Sequence, residues 1–448
     1  MRVTVVGAGY VGLVSALAFA ASGHEVVCVD RDAVRLACLR RGEDPLDEPG
    51  VADLLGRTTV RFADADPELD RADVVLVAVG TPMRADGHAD LTQVDEAART
   101  IARAARAGAV VVIRSTVPVG TCERLQTRRL RRQLVVSNPE FLREGHALAD
   151  ALAPNRIVAG GSRSARPIVE ALYAPLLAQL ASTAPEALPP FIWTTSRSAE
   201  LAKYAANGFL ATKLSFVNEI ANLAEVVGAD AETVLRTMGL DPRIGAGHMR
   251  PGLGWGGSCF PKDTRALAAL AAGEGYDFVV LRAAIEQNNR QIARFAAMVE
   301  RETPSAAVIG LLGLAFKAGT ADTRESPAIA LARRLARSGR SVHAYDPAVR
   351  RVADPAIARV YADARAACAG ADAVVIATEW DEFAGLDLAA LRRVTRGDVL
   401  VDGRGVIDPV RATRAGFRYR GVRAWPDLSP AQNWRAKLLK PLLATPLR

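Results

Sequence analysis

Lysine is almost missing from this chain: of its 57 basic residues, 51 are arginine and six are lysine. Arginine is therefore the default cation here, and a lysine that is present invites inspection; Lys203, Lys262 and Lys317 fall in segments that carry other chemistry-bearing residues. Histidine and cysteine are equally scarce, five of each. The cysteines are widely spaced, with no CxxC and no Cys/His cluster, which excludes a disulfide scaffold and a structural zinc site and leads us to expect no metal. No apolar run approaches the roughly 18 residues of a membrane span. The opening MRVTVVGAGYVGL enters a strand pattern without the zones of a secretory signal. The expectation is a cytoplasmic protein with no membrane partner.

At 448 residues and 50% hydrophobic content the chain can form two or three domains. Its net charge of +8 is spread along helix faces, and the densest basic cluster, RRLRRQ at 128–133, is short. Solvated helix surface explains this better than a nucleic-acid interface, so no nucleic acid is expected; an anionic small substrate fits the sign of the charge.

What is present is an alternation of β-branched runs with amphipathic helical stretches, the pattern of a parallel α/β sheet. Strands are expected near 2–6, 25–30, 73–79, 109–113 and 134–137, and the Pro/Ser/Thr-rich stretch at 180–192 reads as a connection. Helical periodicity then fills 196–300. A second alternation comes next, in AAVIGLLGLAF, SVHAYDP, DAVVIATEW and DVLVDGRG. We expect an α/β protein with two Rossmann-like parallel-sheet domains joined by a central helical region, bounded at 1–195, 196–300 and 301–448.

Gly7-Ala-Gly9-Tyr10-Val11-Gly12 comes directly after the first strand, opens a helix and precedes Asp30 at the end of the second strand. Strand, glycines, helix and acid at this spacing make a dinucleotide site, with pyrophosphate facing the helix N-terminus. Asp30 would accept from a ribose diol and repel a 2'-phosphate, which favours NAD, although Arg31 stands beside it. The second alternation lacks this fingerprint. Its Gly310-Leu-Leu-Gly-Leu-Ala-Phe-Lys317, with Arg324 and Arg404, suits a different phosphate-bearing ligand.

Three pairs spaced four residues apart hold the reactive inventory: Glu140 and Glu144, Lys203 and Asn207, Cys259 and Asp263. On a helix each pair would share one face. Carboxylates, an ammonium, an amide and a thiol supply a base, an oxyanion stabiliser and a nucleophile. Around Cys259, the stretch GWGGSCFPKD at 254–263 offers glycines that would admit a substrate carbon. A thiol beside a dinucleotide suggests a four-electron oxidation, from alcohol through aldehyde and thiohemiacetal to thioester and acid.

GAGYVG, VGTP with DGHADL, STVPVGT, NPEFLREG, AELAKYAANGFLATKLSFVNEIANL, GLDPRIG, GWGGSCFPKD, FKAGTADTRESPA and DGRGVID, in this order over nearly the whole length, resemble the UDP-glucose 6-dehydrogenases among the nucleotide-sugar dehydrogenases. The resemblance implies oxidation of UDP-glucose to UDP-glucuronate with two NAD per sugar, an N-terminal NAD domain, a C-terminal UDP-binding domain and a homodimer built on the central helix. It implies Cys259 as nucleophile, Lys203 and Asn207 as oxyanion and water partners, Asp263 in proton transfer, Glu140 as base in thioester hydrolysis and Thr116 supporting that water. Phe141, Leu142, Arg143, Glu144, Lys203, Asn207, Gly256, Lys317 and Arg404 would line the UDP-sugar, with Arg243 reaching the partner's site. Gly7, Gly9, Tyr10, Val11, Gly12, Asp30, Thr81, Thr116, Glu144 and Lys262 would meet the cofactor. GDP-mannose and UDP-N-acetylhexosamine dehydrogenases share parts of this set. A catalytically dead nucleotide-sugar-binding protein is the reading from another class, but binding alone would not require every reactive side chain.

Overall fold

The computed structural model describes residues 1–64 and 69–422. It divides into two units, one of residues 1–206 and one that begins at Asn207; the sequence after 422 lies outside the described residues.

In the first unit, strands β1 (Arg2–Val6), β2 (Glu25–Val29), β3 (Val60–Ala63), β4 (Val74–Val77), β5 (Val110–Ile113), β6 (Leu134–Ser137), β7 (Ile157–Gly161) and β8 (Phe191–Thr194) form one sheet in the order β3-β2-β1-β4-β5-β6-β7-β8. Helices cover both faces, so the central strands read as unbroken apolar runs: every residue of β4 and β5 is at most 1% exposed. All neighbours are parallel except β6 and β7, which pair antiparallel. Strand order reverses between β1 and β4, the crevice at which open α/β sheets bind ligands.

The expected strands are all present. Five more, β3, β7, β8 and, in the second sheet described below, β11 and β14, lie outside those expectations. They are short, and β3, β8 and β14 carry no fully buried position, so they lack the apolar run that marks a central strand. The connection expected at 180–192 stops short at β8, where Ile192 is 44% exposed on the sheet edge.

The second unit begins inside the 32-residue helix Ser196–Val227, continues through helices Ala231–Leu240, Phe260–Gly273 and Val279–Glu302, and ends in a six-stranded sheet. Its strands β9 (Val308–Leu312), β10 (Ser341–Tyr345), β11 (Ile357–Val360), β12 (Ala373–Ile376), β13 (Val399–Asp402) and β14 (Arg418–Gly421) are all parallel, in the order β11-β10-β9-β12-β13-β14.

Both sheets solve the first strand-to-loop turn alike. After β1, Gly7 has φ +102° and the Ala8 N–H donates to Asp30 at 2.6 Å; after β9, Gly313 has φ +103° and the N–H groups of Leu314 and Ala315 donate to Asp346 at 2.7 and 3.0 Å. Only the first turn runs straight into a helix, Tyr10–Ala21, whose N-cap is Gly9. The three glycines there answer to different constraints. A Cβ on Gly7 would stand 2.6 Å from the Ala78 carbonyl oxygen, and one on Gly12 would stand 1.8 Å from that of Gly7. At Gly9 a Cβ would meet no protein atom within 4 Å. Packing therefore demands Gly7 and Gly12, whereas Gly9 faces open space.

Gly12→Ala is accordingly expected to lower the unfolding temperature by several degrees. Gly9→Ala should unfold within about 2 °C of wild type while weakening dinucleotide binding roughly tenfold or more. Calorimetry together with dinucleotide titration separates the two, and a Gly9→Ala protein with unchanged affinity would refute the assignment.

Candidate active site

The loops after β1, β2, β4 and β5 gather the dinucleotide candidates. The Asp30 side chain is 9% exposed and already accepts from Ala8 N, from Asp32 N at 2.8 Å and from Arg35 Nη1 at 3.1 Å. The acid expected to meet a ribose is thus oriented by a guanidinium that the sequence pattern does not single out. Arg31, next to Asp30 in sequence, pairs instead with Glu96 at 3.5 Å. Thr81 Oγ1 donates to the Thr116 carbonyl at 2.9 Å, joining the loops that extend from β4 and β5.

Tyr10, inside the glycine turn, donates its hydroxyl to Glu48. Glu48 is 4% exposed and also accepts from Gly145 N at 2.8 Å and Ala147 N at 2.5 Å, immediately after Glu144. One buried carboxylate thus links the dinucleotide turn to the NPEFLREG loop. Nothing in the surrounding EDPLDEPG distinguishes it from an ordinary turn acid, so sequence reading missed it.

That loop is not helical. Residues 138–143 take no regular secondary structure and Glu144 and Gly145 form a turn, so Glu140 and Glu144 do not share a helix face. The N–H groups of the segment go to side chains instead of to a helix, Leu142 to Glu140, Arg143 to Asp150 and Gly145 to Glu48. Glu140 instead pairs with Lys203 at 2.9 Å, both side chains at most 6% exposed, and accepts from Leu142 N. Burial pushes the Glu140 carboxyl up, but Lys203, the Leu142 N–H and the charge of Arg114 together outweigh it and hold it below the usual range. Phe141 carries the Arg156 guanidinium 3.7 Å from its ring centroid and the Lys203 ammonium at 5.5 Å. Arg143, expected at the sugar nucleotide, is bound through Nε and Nη2 to Asp150 at 2.8 Å each. A small cleft opens against Arg114, Phe141, Arg156 and Tyr173.

In the second unit, Asn207 Nδ2 donates to Asp263 at 2.6 Å, and Lys262 pairs with the other Asp263 oxygen at 2.5 Å. Asp263 is 1% exposed and its N–H donates to the Cys259 carbonyl at 2.8 Å. Cys259 is the N-cap of helix Phe260–Gly273, with Pro261 in the first turn. The Cys259/Asp263 and Lys203/Asn207 pairs therefore do each lie one helical turn apart, as their spacing requires. The thiols of Cys28, Cys122 and Cys368 are buried and pushed up, that of Cys368 to about 12, whereas Cys38 and Cys259 are only partly buried. Of these two, Cys259 alone stands at a helix N-terminus, a place that favours an anion.

The glycines before Cys259 do not make empty space for a substrate carbon. A Cβ on Gly254 would come within 2.8 Å of Asn288 Oδ1, on Gly256 within 2.2 Å of the Glu325 carbonyl oxygen, and on Gly257 within 2.8 Å of the Phe316 ring. They let the cysteine loop pack directly on its neighbours. Trp255 anchors it further, N–H to Asn288 Oδ1 at 2.8 Å and Nε1 to Ser215 Oγ at 2.9 Å.

The same Phe316 joins the remaining candidates. Lys317 Nζ lies 5.8 Å from its ring centroid, and Arg404 Nη2 donates to its carbonyl at 3.0 Å. Arg404 Nε donates to the Ala377 carbonyl at 3.0 Å and lies 3.2 Å from Glu379, so this arginine clamps loops as well as offering charge. Arg243 stands apart, 87% exposed and bound to Asp241 at 2.6 Å. Its loop is fixed by Lys213, whose ammonium donates to the carbonyls of Ile244, Gly245 and Gly247 at 2.6–3.0 Å.

Among the described residues no helix is long and apolar enough to cross a membrane. Comparison with known proteins extends over the whole arrangement. The chain matches the UDP-glucose/GDP-mannose dehydrogenase family in its NAD binding domain over residues 1–177, its central domain over 197–290 and its UDP binding domain over 310–409. It is 42% identical to the UDP-glucose 6-dehydrogenase of Pseudomonas aeruginosa, across 94% of this chain and 97% of that one. It is 41% identical to that of Rhizobium meliloti, across 94% and 99%. A solved UDP-glucose dehydrogenase from Pyrobaculum islandicum superposes with TM-score 0.84 at 37% identity, covering 95% of this chain and 98% of its own. A glycine turn with room left at Gly9, a thiol at a helix N-terminus and agreement over all three domains lead to one conclusion: the chain is an NAD-dependent dehydrogenase and belongs to the UDP-glucose/GDP-mannose dehydrogenase family.

Proposed function

We propose that this enzyme oxidises the C6 alcohol of UDP-glucose to the carboxylate of UDP-glucuronate, through a thiohemiacetal and a thioester on Cys259. The observation that carries the reading is a single helix on which Lys203 is bonded to Glu140 and Asn207, one turn later, to Asp263, four residues after Cys259. The names of the relatives above support the substrate. NAD would be held by the Gly7–Gly12 turn and Asp30 and would supply the hydride acceptor, once for each oxidation.

In the first oxidation the alcohol proton passes toward Asp263 and water. The Cys259 thiolate then forms a C–S bond to the aldehyde carbon, and the oxygen that takes the electron pair is stabilised by the Lys203 ammonium and the Asn207 amide. Loss of the second hydride leaves the thioester. Water then attacks the acyl carbon, Glu140 takes its proton, the C–S bond breaks and the carboxylate departs with Cys259 restored. Thr116 supports that water. A carboxylate held as an anion by Lys203 is in the right form to accept a proton. Lys317 and Arg404 bind the diphosphate from the C-terminal domain.

The enzyme acts as a homodimer in this reading. Phe209, Phe216 and Leu223, spaced by seven on the long helix, are 70%, 51% and 55% exposed, an apolar stripe that a second copy would cover. Arg243, exposed beyond that helix, would serve the partner's site.

In a panel of nucleotide sugars monitored by NADH absorbance, UDP-glucose should give the highest kcat/KM; faster turnover of GDP-mannose would overturn the substrate assignment. Cys259→Ala should bind both ligands yet produce at most one NADH per sugar, slowly. Glu140→Gln should release a burst of up to two NADH per site and stall with sugar attached to Cys259, visible as added mass on the intact protein. Steady wild-type turnover in Cys259→Ala would end the covalent mechanism. Phe216→Glu should convert the dimer to monomer by light scattering, and an unchanged mass would remove this stripe from the interface.

A further inference from the structure

Arg114 takes no part in the chemistry just described. It lies directly after β5 and is 9% exposed. Its Nη1 donates to the Asn138 carbonyl at 3.2 Å, to Asn138 Oδ1 at 3.1 Å and to the Pro139 carbonyl at 3.3 Å, and lies 3.3 Å from the Tyr173 hydroxyl. Tyr173 in turn donates to Asn138 Oδ1 at 2.6 Å, and Asn138 Nδ2 donates to the Val158 carbonyl at 2.7 Å. The two residues that precede Glu140 are thus fixed to three different parts of the sheet and its covering helix.

This investment is unusual for a buried cation. Among the described residues no carboxylate forms an ion pair with Arg114, and its Nε has no hydrogen-bond partner. A buried charge without a counter-ion carries a desolvation penalty of several kcal/mol, so packing alone would have favoured an apolar residue here. The carboxylate that feels the Arg114 charge is Glu140.

We infer that Arg114 is a positioning residue for the water attack on the thioester: through its bonds to Asn138 and Pro139 it fixes the backbone that presents Glu140. This rests on the reading of Glu140 as the base. Within the first unit the charged groups around Glu140 are Lys203 from the long helix, Arg114 from the end of β5 and Arg156 from the segment before β7, with Asp150 on the same cleft already engaged by Arg143. Burial raises the affinity of Glu140 for a proton, and this set of cations opposes it. Removing one cation shifts the balance toward the protonated acid, so the base form is lost at a higher pH than in wild type.

The test tracks the covalent adduct itself. Enzyme is loaded with UDP-glucose and NAD, and decay of the Cys259-linked species is read by rapid quench and intact mass across a pH series, for wild type, Arg114→Gln, Arg114→Lys and Glu140→Gln. In wild type the decay should slow as pH falls through the Glu140 titration. Arg114→Gln should move that limb upward and lower the plateau. Arg114→Lys, which retains the charge but not the planar fork, should return the limb to the wild-type position with a lower plateau. Glu140→Gln should decay slowly with no limb.

A limb that stays in place in Arg114→Gln but vanishes in Glu140→Gln overturns the role of Arg114 and leaves the base in place. A limb that persists in Glu140→Gln overturns the base, and the inference falls with it. If Arg114→Gln does not fold, Tyr173→Phe tests the tether alone. It should lower the plateau without moving the limb, and a profile identical to wild type would overturn the positioning role.

Discussion

The ion pair between Glu140 and Lys203 is the constraint on which the first unit's half of the site depends. Two opposite charges, each almost wholly withdrawn from water, are tolerable only while both are present and well aligned; deletion of one leaves the other uncompensated at a cost of about 3–5 kcal/mol. The pair consequently fixes more than itself. Glu140 must remain where its loop holds it, and that loop is braced by Glu48 beneath the dinucleotide turn and by Arg114 through Asn138. Lys203 must remain on its helix. Charge neutralisation at one point thereby sets the orientation of the loop groups around Glu140.

The two sheets share a turn and diverge in the segment after it. Gly7 and Gly313 adopt nearly the same left-handed φ, and each turn's N–H groups are received by an aspartate at the end of the neighbouring strand. After the first turn a helix starts at once and presents its N-terminus; after the second, an irregular segment leads to Lys317 and onward to helix Pro327–Arg337. The same backbone solution thus opens into two different segments, one a helix N-terminus with aligned amides and one an irregular stretch that carries a cation.

Much of this is legible in the sequence because it is written in local patterns. Short valine-rich runs mark the central strands, and the spacing of Gly7, Gly9, Gly12 and Asp30 marks the dinucleotide turn. Pairs four apart are informative only where a helix exists: Lys203/Asn207 and Cys259/Asp263 lie on helices, whereas Glu140/Glu144 lie in a loop whose N–H groups are taken by side chains. The illegible part is mostly long-range. Arg114 and Glu48 acquire their meaning from partners 24 and 97 residues distant, Asn138 and Gly145. The glycines of GWGGSC mislead for the same reason. Their lack of side chains serves contacts with Asn288, Glu325 and Phe316, distant in sequence from the cysteine loop.

The scarcity of lysine has a practical face. Of the four lysines among the described residues, Lys203 is locked to Glu140, Lys262 to Asp263, Lys213 to three loop carbonyls, and Lys317 adjoins the phenylalanine that packs against the cysteine loop. On most proteins, amine-directed reagents scatter over an anonymous surface. Here Lys203, Lys262 and Lys213 are held by carboxylates or carbonyls, so acylation at any of the three would report that its contact has opened rather than simple solvent exposure.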